Sequence, residues 1–158
     1  MRILIILGGG GHTTQMLRLT ELIGKKYDYE YVIEKSDKIS DKKIKFKGRV
    51  FRFKKTRNIG ESIFLSILKQ IIALIPATKL VIKSKADVII ASGPNFAIPI
   101  IFIGKLLGKK IIFIESWSRI YTRSSSGKFA YKLADLFFVQ WPEMKKIYPK
   151  AVYAGRFM

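Results

Sequence analysis

Short apolar segments alternate with amphipathic segments along the chain. Continuous apolar runs rich in β-branched residues predict strands that are covered on both faces. Five such runs predict strands, at residues 2–7, 29–34, 88–91, 110–114 and 136–139. Apolar residues at helical spacing predict helices between them. These are a helix that follows the first strand and ends near Gly24, a long one over 59–83, and shorter ones over 96–107, 129–133 and 142–147.

Three further segments carry signals of their own. From Lys45 to Val50, basic and non-basic residues alternate, which predicts a strand with one charged face. Pro76 falls inside the long helical stretch and should kink or split it, because proline has no N–H to donate. The small-residue cluster Ser124-Ser125-Ser126-Gly127 predicts a mobile loop.

The order of these elements predicts the fold. Strands that alternate with helices favour right-handed crossovers, and hence an α/β fold with a Rossmann-like, doubly wound parallel sheet. At 158 residues, the chain fits a single domain of this kind over 1–158. Ligands of such a sheet bind beyond the carboxyl ends of its strands. The candidate site loops are therefore residues 8–12, 92–95 and 115–128.

Charge narrows the set of partners. The chain has 30 Lys and Arg against 11 Asp and Glu, a formal charge of +19, which attracts polyanions such as nucleic acids, anionic lipids and diphosphates. No RNP, helix-turn-helix or zinc pattern is present, so we expect no nucleic-acid partner. One histidine and no cysteine offer no convergent ligand set, so we expect no metal and no other cofactor.

The segment 42–83 suggests a membrane surface. Residues 42–57 are strongly basic with no acid among them, and the helical stretch that follows is rich in Ile and Leu, with Lys69, Lys79 and Lys83 toward one side. We expect no signal peptide and no spanning helix, because no apolar run reaches the roughly 18 residues that a span needs. The segment therefore predicts contact with an anionic membrane surface, although the helix fits a protein core equally well.

The glycine loop Gly8-Gly9-Gly10-Gly11-His12 is the sharpest local signal. Glycines let the backbone approach a phosphate closely, and the helix that follows offers free N–H groups. Thr13 is placed to cap that helix. The loop lacks the third glycine of a dinucleotide fingerprint and the Lys-Ser/Thr pair of a P-loop. It is either a phosphate cradle or only a tight turn between strand and helix.

His12 and Glu115 are the candidate acid–base groups. His12 is the only histidine, and a helix N-terminus lowers the pKa of an imidazole and favours its neutral form. It could accept a proton from a sugar hydroxyl, or only hydrogen-bond the loop. Glu115 ends an apolar strand, where a carboxylate needs a partner. It could be the base, orient a hydroxyl, or cap the loop through the Ser116 N–H. Arg119 and Arg123 could bind a phosphate or form surface salt bridges.

Several motifs occur in a fixed order along the chain. They are Gly8–Thr13 with Met16-Leu17, Ser92-Gly93-Pro94, Glu115-Ser116-x-x-Arg119-Ile120, Gly127-Lys128, Ala134-Asp135, Val139-Gln140-Trp141-Pro142, Tyr148-Pro149 and Gly155-Arg156. In this order they resemble the acceptor-binding subunit of the two-part N-acetylglucosaminyltransferase of the dolichol pathway, and related bacterial exopolysaccharide synthase subunits. The chain departs from the eukaryotic pattern at Ser92 and Asn95-Phe96, and in beginning directly at its first strand.

The resemblance implies a domain like the N-terminal, acceptor-binding half of a two-domain GT-B glycosyltransferase. Such an enzyme transfers N-acetylglucosamine, with inversion, from UDP-N-acetylglucosamine to N-acetylglucosamine on a polyprenyl or dolichyl diphosphate at the cytoplasmic face of a membrane. A separate subunit would bind the donor, and the present chain would be inactive alone.

The resemblance also assigns residues to roles. The catalytic base would be either His12 or Glu115. The acceptor diphosphate would bind to Gly8, Gly9, Gly10, Gly11, Thr13, Arg119 and Arg123. The acceptor and interface loop would comprise Ser92, Gly93, Pro94, Asn95 and Ser116, and the partner would contact Gln140, Trp141, Pro142, Gly155 and Arg156.

Other functions stay open. A non-catalytic adaptor would only recruit the partner to the membrane and would tolerate the loss of His12 and Glu115. An exopolysaccharide transferase subunit would use a different sugar. A stand-alone nucleotide-binding protein would act without a partner, but the missing third glycine counts against it. The second strand also lacks an acid at the position expected to bind the ribose, where Glu34 is the only candidate.

Overall fold

The chain forms one parallel sheet with helices on both of its faces. The computed structural model describes residues 1–58 and 60–156. The strands are β1 (Arg2–Ile6), β2 (Asp28–Glu34), β3 (Arg49–Phe53), β4 (Val88–Ala91), β5 (Lys110–Ile114), β6 (Leu136–Val139) and β7 (Val152–Tyr153). The α-helices are α1 (Gly10–Ile23), α2 (Ile63–Ile72), α3 (Leu74–Ser84), α4 (Ala97–Leu106) and α5 (Ser125–Ala130), with 3-10 helices at Ser40–Lys43 and Pro142–Lys146.

The strand order is β3-β2-β1-β4-β5-β6-β7, and every neighbouring pair is parallel. This is a doubly wound sheet, so the predicted fold class is confirmed. The order reverses between β1 and β4, which pair from Ile3↔Val88 to Ile6↔Ala91. The loops that leave these two strands diverge at their carboxyl ends, and this opens a crevice where ligands of such sheets bind.

Apolar strand residues separate onto the two faces because side chains alternate along a strand. On one face, Ile5 packs in a buried cluster with Met16 of α1. On the other face, Ile6 packs in a second buried cluster with Val81 of α3 and Ile101 of α4. The central strands are therefore covered on both sides, and their carboxyl ends form a firm base for the loops.

Most predicted elements form where the apolar pattern placed them. The five apolar runs all become strands, and the helix predicted over 96–107 becomes α4, with Pro99 in its first turn. The helix predicted over 142–147 is the 3-10 helix Pro142–Lys146. β7 and the 3-10 helix Ser40–Lys43 have no counterpart in the predictions, because both are very short.

The basic strand lies later in the chain than predicted. β3 spans Arg49–Phe53, not 45–50, and pairs with β2 along its whole length. Gly48 explains this start, since a Cβ at that position would overlap the carbonyl oxygen of Tyr29 in β2. Glycine thus lets the chain approach β2 closely before pairing begins. The exposed arginines of β3 lie on an edge strand, where charge discourages pairing with other chains.

The helix predicted over 59–83 is split into two, as the presence of Pro76 predicted. α2 and α3 are separated at Ala73 and are bent by 41°. Pro76 in the first turn of α3 has no N–H to give to the Ile72 carbonyl, which accounts for the break. Ile59, where the prediction began, lies outside the described residues. Within 1–58 and 60–156, no single helix is long and apolar enough to span a membrane, and α2 and α3 reach that length only as a bent pair.

Two predictions about helix starts are wrong. α1 begins at Gly10 with Gly9 at its cap, so Thr13 lies inside the helix, where its hydroxyl accepts a hydrogen bond from the Gly9 N–H (3.0 Å). The cluster at 124–127 is not a mobile loop, because Ser124 caps α5 by accepting the Gly127 N–H (2.8 Å). The helix there consequently spans Ser125–Ala130 instead of 129–133.

Replacing Gly48 tests the explanation for the start of β3. We expect Gly48→Ala to lower the free energy of unfolding by about 1–3 kcal/mol, because the added Cβ must displace the backbone of β2. Urea denaturation followed by circular dichroism measures this change. Lys47→Ala, at the exposed position next to it, should change the free energy of unfolding by less than about 0.5 kcal/mol. Equal stability of the two variants would contradict the explanation.

Candidate functional site

Loops that follow β1, β4 and β5 meet at the carboxyl edge of the sheet and enclose a cavity of about 230 Å³. This cavity, called the polar pocket below, lies at the edge where doubly wound sheets bind ligands. It is lined by His12, Arg57, Gly93, Asn95, Ser116, Ser118, Arg119, Ser124, Ser125 and Ser126.

The glycine loop turns the chain sharply from β1 into α1. Gly9 and Gly10 have φ values of 74° and 54°, a region that residues with a Cβ rarely adopt. Within the described part of the chain, no side chain caps this end of α1. The N–H groups of the first turn are thus left without helical partners, as an anion site requires. Thr13 is buried and also contacts the Ser40 hydroxyl (3.1 Å), so it braces the loop from inside.

His12 stands in the first turn of α1 and lines the polar pocket. Glycines make room for it: a Cβ on Gly93 would overlap the imidazole ring, and one on Gly8 would lie 2.9 Å from the His12 Cβ. Burial lowers the pKa of His12; the Glu115 carboxylate opposes this shift and Arg119 adds to it. This shift has the predicted direction, but its main cause is burial, whereas the prediction attributed it to the helix N-terminus. The imidazole is therefore neutral at pH 7 and can accept a proton.

Glu115 is 1% exposed and is not among the described residues that line the polar pocket. Its carboxylate accepts hydrogen bonds from the Ser116 N–H (2.9 Å), the Ser124 N–H (3.3 Å) and the Tyr148 hydroxyl (3.0 Å). A Cβ on Gly127 would overlap this carboxylate, so glycine lets α5 pack against it. Three donors satisfy the buried charge, and Glu115 thereby holds the loop after β5 in place.

The arginines near the site occupy different places. Arg119 lines the polar pocket, and its guanidinium donates to the Thr122 hydroxyl (3.1 Å). Arg123 does not line it: this guanidinium donates to the Ile147 carbonyl (2.9 Å) and lies over the Tyr148 ring at 5.4 Å. Arg57 lines the pocket, although sequence analysis placed it only in the basic segment. No local signal distinguishes it from the other basic residues there.

The loop after β4 forms another wall of the polar pocket. Gly93 and Asn95 line it, whereas Ser92 is fully buried and its hydroxyl has no partner among the residues described. The Ser126 hydroxyl donates to the Gly93 carbonyl (2.7 Å), which joins α5 to this loop. Ser116 lines the pocket as predicted, whereas four other serines of the pocket were missed as site residues. Ser124, Ser125 and Ser126 were missed because their cluster was predicted to be a mobile loop, and Ser118 had no signal of its own in the sequence.

Residues predicted to contact a partner lie around a second, apolar cavity of about 290 Å³ beside α1. This apolar groove is lined by Leu19, Ile23, Ile90, Ile112, Ile114, Phe138, Val139, Gln140, Ala154 and Gly155. Adjacent in sequence to the lining residues Gln140 and Gly155, Trp141 and Arg156 contact each other: the Arg156 guanidinium lies 4.3 Å from the centre of the Trp141 ring. The Trp141 indole donates to the Trp117 carbonyl (2.6 Å). Pro142 begins the 3-10 helix that follows.

Comparison with solved structures defines the class of fold. MurG of Acinetobacter baumannii matches 90% of this chain with a TM-score of 0.72 and 13% identity. MnaA of Staphylococcus aureus, solved with UDP, matches 99% of it with a TM-score of 0.74 and 14% identity. The match covers only 42% and 45% of those longer chains. The fold is thus that of one Rossmann-like domain of the GT-B type, as predicted.

Sequence comparison identifies the family. Residues 3–157 match the family described as "Oligosaccharide biosynthesis protein Alg14 like". The UDP-N-acetylglucosamine transferase subunit ALG14 of Mus musculus is 36% identical over 99% of this chain and 82% of its own length, and that of Homo sapiens is 33% identical over the same shares. The chain therefore belongs to the Alg14-like family, which confirms the resemblance found in its motifs.

The protonation of His12 can be measured directly. Because His12 is the only histidine, its imidazole signals in an NMR titration are unambiguous. We expect a pKa below the ordinary 6.5. Arg119→Gln should raise this pKa, because it removes a nearby positive charge. Arg18→Gln, which removes a surface arginine paired with Glu21 (3.5 Å), should leave it unchanged. A wild-type pKa at or above 6.5 would show that the imidazole is not buried in solution.

Proposed function

We propose that this chain is the acceptor-holding subunit of a two-subunit inverting glycosyltransferase. The reaction moves N-acetylglucosamine from UDP-N-acetylglucosamine to N-acetylglucosamine on a polyprenyl diphosphate. The observation that carries the proposal is the position of His12: it stands in the first turn of α1, a helix without a side-chain cap, and lines a pocket that also contains Arg57 and Arg119. The donor is suggested by the relatives, which are named UDP-N-acetylglucosamine transferase subunits.

In the proposed mechanism, the polar pocket receives the acceptor sugar and the phosphate attached to it. The first-turn N–H groups of α1 and the guanidinium groups of Arg57 and Arg119 bind phosphate oxygens. The hydroxyl oxygen of the sugar attacks the anomeric carbon of the donor while the His12 imidazole takes the hydroxyl proton. The bond from that carbon to UDP breaks, and UDP departs with the bonding electrons. Such a base typically contributes about 10²–10⁴-fold in rate.

Glu115 has a positioning role in this mechanism. Its carboxylate is already occupied by three donors and lies out of the pocket lining. It fixes the loop that carries Ser116 and Arg119, and its negative charge makes His12 a stronger base. Loss of Glu115 should therefore weaken the protein as a whole, whereas loss of His12 should remove the base alone.

The donor would be held by a second subunit that docks at the apolar groove. The groove has an apolar lining with Gln140 and Gly155 at its edge, and the contacting Trp141–Arg156 pair is adjacent in sequence to these two residues. An apolar centre with aromatic and arginine residues around it is typical of protein interfaces. The same surface adjoins the glycine loop, because a Cβ on Gly11 would lie 3.7 Å from the Trp117 indole. A docked partner would thus reach the polar pocket.

Membrane contact is supported by helix α2, whose polar side chains face the protein and whose apolar side chains face outward. Its single buried residue is Ser66, whose hydroxyl donates to Glu61 (3.4 Å), and Lys69 pairs with the same carboxylate. Gln70 donates to the Asn95 carbonyl (3.1 Å). The polar residues of α2 therefore point into the protein, whereas the polar face of an ordinary surface helix points into water.

The apolar residues of α2 point outward. Phe64 is 82% exposed, and the other exposed apolar residues of this helix are Ile63, Leu65, Ile67, Leu68, Ile71 and Ile72. Ile75 of α3 is exposed as well. A contiguous apolar surface of this kind marks a contact site. Basic residues of the segment 42–57 lie near it in the chain, and together they suit an anionic bilayer. The proposal places α2 in the cytoplasmic face of the membrane that contains the polyprenyl acceptor.

A transfer assay tests the catalytic part of the proposal. The purified chain is mixed with UDP-N-acetylglucosamine and N-acetylglucosaminyl-diphosphoryl-polyprenol, with and without a donor-binding subunit. We expect transfer only with the partner, and a loss of about 10²–10⁴-fold in kcat for His12→Ala. The wild-type rate should fall with decreasing pH only below 6.5, because the pKa of the base is lowered. Lys145→Ala, at an exposed position away from the polar pocket, is the matched control.

The alternatives give different results in the same assay. Full transfer by His12→Ala would make the chain a non-catalytic adaptor. Transfer without any partner would contradict the two-subunit proposal. Transfer from another UDP-sugar in preference to UDP-N-acetylglucosamine would indicate an exopolysaccharide subunit instead.

Vesicle binding tests the role of α2. Phe64→Ser with Ile71→Ser should weaken binding to vesicles containing anionic lipid by about tenfold or more, because each apolar side chain contributes about 1.5–3 kcal/mol when buried. Leu22→Ser, at a 60% exposed position on α1, should not change binding. Flotation through a sucrose gradient separates bound from free protein. Undiminished flotation of the α2 variant would contradict membrane contact by this helix.

A further inference from the structure

A cavity larger than the polar pocket lies elsewhere in the described structure. It has a volume of about 770 Å³ and lies beyond the carboxyl ends of β2 and β3, closed on one side by the break between α2 and α3. It is lined by Glu34, Lys35, Ser36, Phe53, Lys54, Lys55, Thr56, Asn58, Lys69, Ile72, Ala73 and Pro76. This cleft, called the lysine cleft below, is as large as cavities that bind a small molecule.

The lysine cleft combines apolar and cationic groups. Phe53, Ile72, Ala73 and Pro76 supply apolar surface. Its remaining lining includes the lysines Lys35, Lys54 and Lys55, none of which has an acidic partner within 1–58 and 60–156. Lys69 also lines the cleft but pairs with Glu61, and the one acid of the lining, Glu34, accepts a hydrogen bond from the Ser36 hydroxyl (2.6 Å). A ligand that fits this lining has an anionic head, which can pair with the lysines, and an apolar body, which can cover the apolar side chains without burying unpaired polar groups.

The buried hydroxyl of Thr56 is a second indication, independent of the lysines, that the ligand has an anionic head. The residue is only 2% exposed, and its hydroxyl has no hydrogen-bond partner among the described residues. A buried hydroxyl without a partner is unfavourable, since it has lost its hydrogen bonds to water. Because Thr56 lines the cleft, an oxygen of a bound phosphate can accept this hydrogen bond.

The lysine cleft and the polar pocket share a wall. Thr56 and Asn58 line the cleft, whereas Arg57 between them lines the polar pocket. Phe53 of the cleft stacks on Phe96 at 6.2 Å, directly after Asn95 of the pocket. The two cavities are therefore neighbours, with Arg57 at the boundary between them.

The lysine cleft also opens toward the outward surface of α2. Ile72 lines the cleft and is 59% exposed on the helix that carries the apolar surface. Ala73 at the helix break is 7% exposed and completes this side. An apolar chain that leaves the cleft over Ile72 would enter the bilayer without crossing water.

We propose that the lysine cleft binds the lipid-side phosphate and the first isoprenyl units of the acceptor, an assignment that rests on the proposed function. Thr56 donates to a phosphate oxygen, and Lys35, Lys54 and Lys55 neutralise its charge. The isoprenyl units lie on Ile72, Ala73 and Pro76 and continue into the membrane along α2. The sugar and the sugar-side phosphate occupy the polar pocket on the other side of Arg57.

Farnesyl phosphate, a short isoprenyl phosphate, is the probe for this site. Its binding to the purified full chain is measured by isothermal titration calorimetry, with inorganic phosphate and farnesol as comparisons. We expect farnesyl phosphate to bind about tenfold or more tightly than either part alone, because both surfaces of the cleft contribute. Equal affinity for inorganic phosphate would overturn the lipid assignment.

Two variants connect the binding to the cleft. Ala73→Trp should weaken farnesyl phosphate binding about tenfold or more by filling the apolar side, and Thr56→Val should weaken it about threefold to tenfold by removing the hydroxyl without changing its shape. Thr56→Ser, which keeps the hydroxyl, and Lys145→Ala should bind like the wild type. If Ala73→Trp does not fold, Thr56→Val still tests the proposal. Wild-type affinity in Thr56→Val and in a folded Ala73→Trp would overturn the proposal.

The result separates this inference from the proposed function. Failure of farnesyl phosphate to bind, with partner-dependent transfer intact, would reject the lysine cleft and leave the transferase proposal standing. Binding that responds to both variants, in a chain that supports no transfer, would keep the cleft and reject the transferase proposal. Thr56→Val should float with vesicles as the wild type does, because α2 is unchanged. If this variant no longer floats, its weaker ligand binding reflects lost membrane contact, and the proposed role of the cleft is wrong.

Discussion

The candidate site depends on the hydrogen bonds that surround the buried carboxylate of Glu115. A charge that is 1% exposed needs donors around it, and they come from three separate parts of the chain: the Ser116 and Ser124 N–H groups and the Tyr148 hydroxyl. Burial and the carboxylate itself both raise the pKa of Tyr148, which keeps this hydroxyl protonated as a donor. One group thus fixes the loop after β5, the start of α5 and the segment before β7 relative to one another.

This network reaches His12 through α5. The Ser126 hydroxyl holds the Gly93 carbonyl, and Gly93 packs so closely against the imidazole that no side chain fits between them. The two candidate acid–base groups are therefore not equivalent. One is a carboxylate saturated with hydrogen bonds inside the protein, and the other is a neutral ring at the pocket surface whose pKa is lowered by burial. A base must meet its substrate, and the imidazole is the one that lines the polar pocket.

The fold could be predicted from the sequence because strands buried on both faces leave unbroken apolar runs. What failed depends on contacts between distant residues. β3 starts at Arg49 because Gly48 approaches Tyr29 in another strand, and no local pattern records that contact. Ser124 lies in a cluster of small residues that is typical of a loop. In the structure its N–H donates to the Glu115 carboxylate and its hydroxyl caps α5. Within the site, the glycines and His12 were visible as a motif, whereas Arg57 was hidden among equally basic neighbours, since only the fold brings it to the polar pocket.

Helix α2 links the position of the site to the membrane in the proposed function. Gln70 on its inner side bonds to the Asn95 carbonyl, and Asn95 lines the polar pocket, while Phe64 points outward. The pocket wall therefore lies about one helix diameter, roughly 10–12 Å, from the apolar surface that would enter the bilayer. The lysine cleft lies beside α2, so it can shelter the first isoprenyl units from water, which would otherwise oppose their exposure.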